Sequence, residues 1–335
     1  MISSKSKYYR TKLKTADEKA IYDKILSTLE SQQSEVIIKT NLLSSFNRSL
    51  DSIVTYVGMD NPGLFYVNFQ HYKTLANLFQ TKLMFEFLVP IEKIDNVERK
   101  LQAKIANITM GLSNLPQYDK EIALHDYLVT TVKYEYDDMR YHKAHSSVGA
   151  LLHGRAICEG YAKAFKLLCD AVGMSCIVVY GTATNLKGTE HHAWNIVKLD
   201  KKCYHVDVTW DSTVKLSQNS CYDYFNLTDG EILKDHVWNK SLLPPCTATE
   251  DNYFVKNEII VKNSDELKAV IKAQLKAKKH CFSIKFIGNV PKDNNQAIER
   301  VNKAVAQSSI MKLIGSSSLS MRYNEKQSIA EIKLK

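Results

Sequence analysis

The chain has 335 residues, 44% of them hydrophobic and 24% charged, which fits soluble globular material of two or three domains rather than a disordered or fibrous chain. That length buries a sizeable core unaided, and the seven cysteines (Cys158, Cys169, Cys176, Cys203, Cys221, Cys246, Cys281) are odd in number, scattered and without a Cys-x-x-Cys pair, which argues against a disulfide framework or zinc ribbon and for a reduced compartment. The net charge of +9 comes without a helix-turn-helix, zinc-finger or aromatic RNA-binding signature, so it reads as a solvated basic surface, suited at most to anionic cell-envelope polymers and not to specific nucleic acid.

In chain order, Thr15-Ala16-Asp17-Glu18 is a capping box that opens a helix running to about Gln32. Strand-like Val36-Ile37-Ile38 follows, then a helix around 41–57. The turn signal Asp60-Asn61-Pro62-Gly63 leads into strand-like Leu64–Val67 and later Leu83–Phe87. A long amphipathic helix carries Ile94, Val97, Leu101, Ile105 and Ile108 on one face, and another spans about 118–133. Residues 1–115 thus read as an α+β accessory region. Tyr134-Glu135-Tyr136-Asp137-Asp138 is an acidic aromatic loop, and Pro244-Pro245 marks a linker. Beyond it, strands at Tyr253–Val261, Cys281–Ile287, Leu319–Tyr323 and Ala330–Leu334, with helices at 264–278 and 293–307, suggest a small α/β module over 250–335. No apolar run reaches the length of a membrane span. The opening Met1-Ile2-Ser3-Ser4-Lys5 is no secretory signal, so the visible sequence reads as cytoplasmic, or as exported or cell-surface if a signal has been removed.

Chemistry concentrates between 154 and 210. After Cys158, Ala162, Phe165, Leu168, Cys169 and Val172 recur at helical spacing and Gly173 ends the pattern, so Cys158 falls in or just before the first turn. Unpaired N–H groups and the positive end of the helix dipole favour an anionic sulfur there, and the same N–H groups suit an oxyanion. Gly154 and Gly160 leave room for a tight approach. Residues 192–198 and 203–209 read as two strands joined at Leu199-Asp200-Lys201-Lys202. With Asp200 and Lys201 central, Trp194 faces Asp207; a four-residue loop would instead set His192 opposite Asp207. Either register puts His192 and Asp207 on one face, while His191 points the other way. A thiol, an imidazole and a carboxylate in this order can form a thiolate–imidazolium pair with an orienting acid. Trp194 and Trp210 flank the dyad as cleft walls or as core, and Glu159 either caps the helix or shapes substrate entry. His142, His145 and His153 show no metal-ligand spacing, so no metal or other cofactor is expected.

Cys158-Glu159-Gly160-Tyr161-Ala162, His192-Ala193-Trp194-Asn195 and Asp207-Val208-Thr209-Trp210-Asp211 resemble the nucleophile, base and orienter segments of the transglutaminase-like superfamily, the Cys–His–Asp branch of papain-fold enzymes. His125-Asp126-Tyr127-Leu128, Tyr224–Asp229 and Asp235-His236 are similar to bacterial members. The resemblance covers roughly 116–240 and implies an α+β fold whose core, placed at 116–245, packs the nucleophile helix on an antiparallel sheet. It implies Cys158, His192 and Asp207 as catalytic residues, with Glu159, Gly160, Trp194 and Trp210 near the substrate. The expected activity is a cysteine peptidase or amidase on a protein or peptide substrate. A cross-linking transglutaminase and an inactive binding scaffold are the alternatives.

Overall fold

The structure, a computed structural model, describes residues 7–39, 50–137, 142–214, 221–315 and 317–334. It begins with α1 (Tyr8–Thr11), α2 (Ala16–Glu30), β1 (Glu35–Lys39), α3 (Leu50–Asp60), β2 (Val67–Ala76), β3 (Gln80–Phe87) and α4 (Ile91–Thr109). Then come α5 (Gln117–Thr131), β4 (Lys133–Tyr134), α6 (Ser147–His153), β5 (Arg155–Ala156), α7 (Cys158–Ala171), β6 (Ser175–Asn185), β7 (Gly188–Leu199), β8 (Lys202–Val206) and α8 (Val208–Val214). The chain closes with α9 (Asp229–Ile232), β9 (His236–Trp238), α10 (Tyr253–Lys256), β10 (Ile260–Val261), α11 (Ser264–Lys276), β11 (Cys281–Phe286), α12 (Asn294–Val305), α13 (Ser308–Ile314), β12 (Leu319–Asn324) and β13 (Ile329–Leu334).

The central layer is the antiparallel sheet β8-β7-β6-β9, and α7 packs across it, so the expected α+β arrangement of nucleophile helix on antiparallel sheet is present. Asn195 fastens the two layers by donating from Nδ2 to the Ala162 carbonyl at 3.0 Å. The capping box at Thr15 and Glu18 forms as read; α3 packs on β6 of the central layer, α2 packs on α3 and β1, and β1-β3-β2 form a sheet of their own. Their buried side chains and those of α5, α7 and β6–β8 make one continuous apolar cluster. Tyr9 reaches across it to donate to the Val178 carbonyl at 2.6 Å. A separate cluster fills the sheet β10-β11-β13-β12 and its helices α11, α12 and α13. Arg322 and Asn324 tie that unit to the centre through the buried Asp223 carboxylate.

Several elements differ from the sequence reading. Leu64–Tyr66 are buried but form a turn, and the strand starts only at Val67, after the Asn61 and Leu64 carbonyls have taken up local N–H groups. Tyr253–Lys256 is helical, capped by Asn252, where a strand was expected; only Ile260 and Val261 pair with β11. Of the helix expected at 41–57, residues 41–49 lie outside the described residues and 50–57 belong to α3. Asp138 of the acidic aromatic loop and the His142 side chain also lie outside them. Among the described residues no helix is long and apolar enough to cross a membrane.

Candidate active site

Cys158 is the first residue of α7, with Ile157 in extended conformation before it and no side chain capping the end. Its N–H therefore has no intrahelical acceptor, and the half-buried sulfur sits at the positive pole of a 14-residue helix. Close packing fixes this end of the helix. Gly154 turns the chain out of α6 in the left-handed conformation (φ 64°). At Gly160 a Cβ would stand 2.2 Å from the Ala144 carbonyl oxygen and 2.9 Å from the Ala156 Cβ, so only glycine fits beneath this turn.

The histidine and aspartate come from the β7–β8 hairpin. Asp200 and Lys201 have φ of 42° and 77°, as a two-residue turn matched to strand twist requires. This is the shorter of the two registers considered, and its last ladder pair is Asn195 with Val206. The expected strand 203–209 stops there. Asp207 leaves the sheet because its Oδ1 accepts the Thr209 and Trp210 N–H groups at 3.0 and 3.1 Å, which caps α8. Its Oδ2 then swings back along the same face and takes the His192 Nε2–H at 2.7 Å. With Nε2 so engaged, Nδ1 is the ring nitrogen left for Cys158, whose thiol is near enough to contribute to the charge balance of the ring. His191 is exposed and points away.

Burial is the largest influence on both partners, and it opposes charge on each. Asp207 and the Cys158 sulfur outweigh it at His192, raising that imidazole to about 10. His192 and His236 outweigh it at Asp207, which stays well below the usual carboxylate range. A protonated imidazole beside an ionised carboxylate is thus the resting state of the pair.

The other residues named from the sequence fall in different places. Trp210 is half-buried, its ring 5.7 Å from that of His192, so it walls the dyad. Trp194 is core: it is 1% exposed, and its Nε1–H donates to His205 Nδ1 at 3.0 Å. Glu159 is a buried hub whose oxygens engage Lys163 Nζ (2.7 Å), His145 Nδ1 (2.9 Å) and the Tyr180 hydroxyl (2.6 Å), and with His145 and Lys163 it lines a small cavity against Asn68 and Gln70. Burial works against its charge, and Lys163, His145 and Tyr180 more than compensate, holding it far below the ordinary range.

Sequence reasoning did not single out His236 as a site residue. It starts β9 opposite Ala183 of β6; two residues along, Trp238 lies opposite Gly181, where a Cβ would meet the Val237 carbonyl at 2.2 Å and the Trp194 ring at 2.8 Å. Its Nε2 lies 3.1 Å from the same Asp207 Oδ2 that His192 uses. No local periodicity links it to Asp207, 29 residues away; the Asp235-His236 resemblance was the one available signal.

Among the described residues two sets of side chains have metal-ligand composition, with donor atoms within 4.8 Å of one another: His192, Asp207 and His236; and His205, Asp229 and Cys246. In the first, both imidazoles hydrogen-bond to one oxygen of Asp207. In the second, the Trp194 N–H occupies His205 Nδ1, which leaves the proton on Nε2, facing Asp229 at 2.9 Å. Both sets are closed by hydrogen bonds, a poor fit to a metal centre.

Residues 104–208 match the model of the transglutaminase-like superfamily, so the chain carries a transglutaminase-like domain. Among characterised proteins it is similar to kyphoscoliosis peptidase of Homo sapiens (30% identical over 125 residues) and of Mus musculus (36% over 125 residues). Each match covers 31% of this chain and 19% of the relative, so the chain spans about a fifth of the length of these relatives. Among solved structures it is similar to a transglutaminase (15% identity, 44% of this chain and 45% of that one, TM-score 0.31). It is also similar to a candidate cysteine protease of Cytophaga hutchinsonii (15% identity, 42% and 61%, TM-score 0.29).

Proposed function

We propose that the protein is a cysteine-dependent acyl-transfer enzyme that acts on peptide or side-chain amides and passes the acyl group to water. The observation that carries this reading is one contact chain: the Cys158 thiol at a helix N-terminus, His192 against it, and the buried Asp207 on the far side of that ring at 2.7 Å. The thiolate adds to the amide carbonyl carbon, and the Cys158 N–H faces the oxygen that gains the charge. As that intermediate collapses the C–N bond breaks, and the His192 Nδ1 proton goes to the leaving amine. A thioester on Cys158 remains. Water then attacks it, giving its proton to Nδ1; the C–S bond breaks and the thiolate and imidazolium are restored. Asp207 keeps Nε2 protonated throughout and fixes the ring plane. Hydrolysis is favoured over cross-linking because no second, water-excluding site for an amine is evident among the described residues, and the peptidase in the relatives' name points the same way.

The test is alkylation of Cys158 by iodoacetamide as a function of pH, read by mass spectrometry. An ion pair labels rapidly at about pH 6, where an ordinary thiol is almost unreactive, and His192→Ala slows it roughly tenfold or more. Hydrolysis of a denatured protein substrate is expected to vanish in Cys158→Ala. If a fluorescent amine is instead incorporated into a glutamine-containing protein, the enzyme is a transglutaminase. If Cys158 labels like an ordinary thiol, the domain is a binding scaffold and the proposal is wrong.

A further inference from the structure

Behind the dyad lies a second imidazole that the acyl-transfer reading does not use. His236 is fully buried, and both of its ring nitrogens face carboxylate oxygens: Nε2 meets Asp207 Oδ2 at 3.1 Å and Nδ1 meets Asp235 Oδ1 at 2.6 Å. Asp235 is buried too. Its other oxygen accepts from the Tyr224 hydroxyl at 2.8 Å and from Gln327 Nε2, in the turn between β12 and β13, at 3.4 Å. The Asp235 carboxyl group is thus held on both of its oxygens. With a carboxyl oxygen at each nitrogen, and Asp207 and Asp235 raising its pKa against burial, the His236 ring is favoured in its doubly protonated form.

We propose that His236 is a positioning residue of the acyl-transfer site: a buried cation, clamped between Asp207 and Asp235, that locks the Asp207 carboxylate and loosens the hold of His192 on its proton. This rests on the acyl-transfer reading above. Asp207 then has four donors on its two oxygens: the Thr209 and Trp210 N–H groups on one, His192 and His236 on the other. A carboxylate bonded on all sides cannot rotate, so the ring it steers cannot either. The charge effect has a definite sign. The two imidazole centroids are 5.4 Å apart, so a cation at His236 disfavours a second one at His192, and it also shares the oxygen that would otherwise serve His192 alone. His192 therefore yields its proton to a leaving amine more readily than Asp207 acting alone would allow.

The other groups facing His236 fit this account. Tyr224 stays protonated because burial pushes its hydroxyl far up. His205, 2.9 Å from Asp229, is kept neutral chiefly by burial and in part by the His236 charge. Trp194 meets the ring edge-on and Trp210 at a tilt, and neither carries a charge. Burial opposes the charge on His236 itself, and Asp207 and Asp235 outweigh it. Gln327 makes the second unit, with its own core, a contributor to the site.

The experiment compares wild type with His236→Gln, whose side-chain amide can still donate to Asp207 but bears no charge. The pH at which His192 loses its proton is read from its ring resonances and from the upper inflection of the iodoacetamide profile of Cys158. It should move up by about one unit in the variant. A role confined to packing would change melting temperature or overall rate and leave that inflection in place; superposed titrations therefore overturn the proposal. Ring nitrogen shifts of His236 in the wild-type protein give a check that needs no variant. Two protonated nitrogens at neutral pH are expected, and a neutral ring refutes the idea. Ordinary thiol behaviour of wild-type Cys158 would remove the acyl-transfer reading and this one together, whereas a normal wild-type profile with an unshifted variant removes this one alone.

Discussion

Replacing Gly160 by alanine adds a single methyl two residues from the nucleophile. The new Cβ would lie 2.2 Å from the Ala144 carbonyl oxygen, 2.9 Å from the Ala156 Cβ and 3.1 Å from the Ser146 carbonyl oxygen. Ordinary contact begins near 3.4 Å, so α7 must retreat from the Ala144 backbone by about 3.4 − 2.2 = 1.2 Å. Backbone, not a flexible side-chain tip, is what it meets. Alanine over glycine gains at most about 1 kcal/mol in a helix, whereas overpacking a tight site costs roughly 1–3 kcal/mol and more when the obstacle is main chain. The net expectation is a loss of roughly 1–3 kcal/mol, read as a fall in melting temperature of several degrees. Because the displaced turn carries Cys158, an ångström of misplacement should also lower the turnover rate roughly a hundredfold. Circular-dichroism melting and the labelling of Cys158 at about pH 6 measure the two effects. A variant that melts with the wild type and labels at the same rate would show that this turn does not set the position of the sulfur.

Two further outcomes concern buried charge. Glu159→Gln removes the carboxylate that neutralises Lys163, whose ammonium is itself buried, and an unpaired buried charge costs roughly 3–5 kcal/mol; chemical denaturation at neutral pH should show a loss of that order, and an unchanged midpoint would mean the pair is not closed. Glu159 is held below its unfolded value, so its contribution is complete above the ordinary carboxylate range and fades only as pH falls towards its depressed value. Glu121 has the opposite sign: burial raises it to about 8 from 4.5, and the folded protein holds a proton there that the unfolded chain releases. Wild-type stability should therefore decline as pH rises from about 4.5 to about 8, and Glu121→Gln should flatten that decline. Parallel melting-temperature profiles for the two proteins would count against a protonated Glu121.

Much of the site's local geometry is legible in the residues alone. The spacing after Cys158 places it at a helix start, since apolar periodicity and Gly173 define α7 without reference to the rest of the chain. A strand's period of two puts His192 and Asp207 on one face whichever turn joins the strands. The capping boxes at Thr15 and Thr228 follow from side chains three residues apart. All of these depend on neighbours within one turn or one hairpin, where chain connectivity limits the possible partners.

What lies beyond that range was decided by packing. Asp207 caps α8 through a local bond, but that its other oxygen is shared between His192 and His236 follows from how β9 packs beside β6. Glu159 meets Lys163, His145 and Tyr180 because α7 packs against α6, β6 and the turn before α6. His236 reaches Asp207 because β9 pairs with the edge of β6, where Gly181 admits the Val237 carbonyl, and Gln327 completes the arrangement from about ninety residues further on. A sequence encodes its short-range geometry through bond lengths and periodicity. Side chains far apart in the chain meet according to which surfaces exclude water together, and that is a property of the folded molecule as a whole.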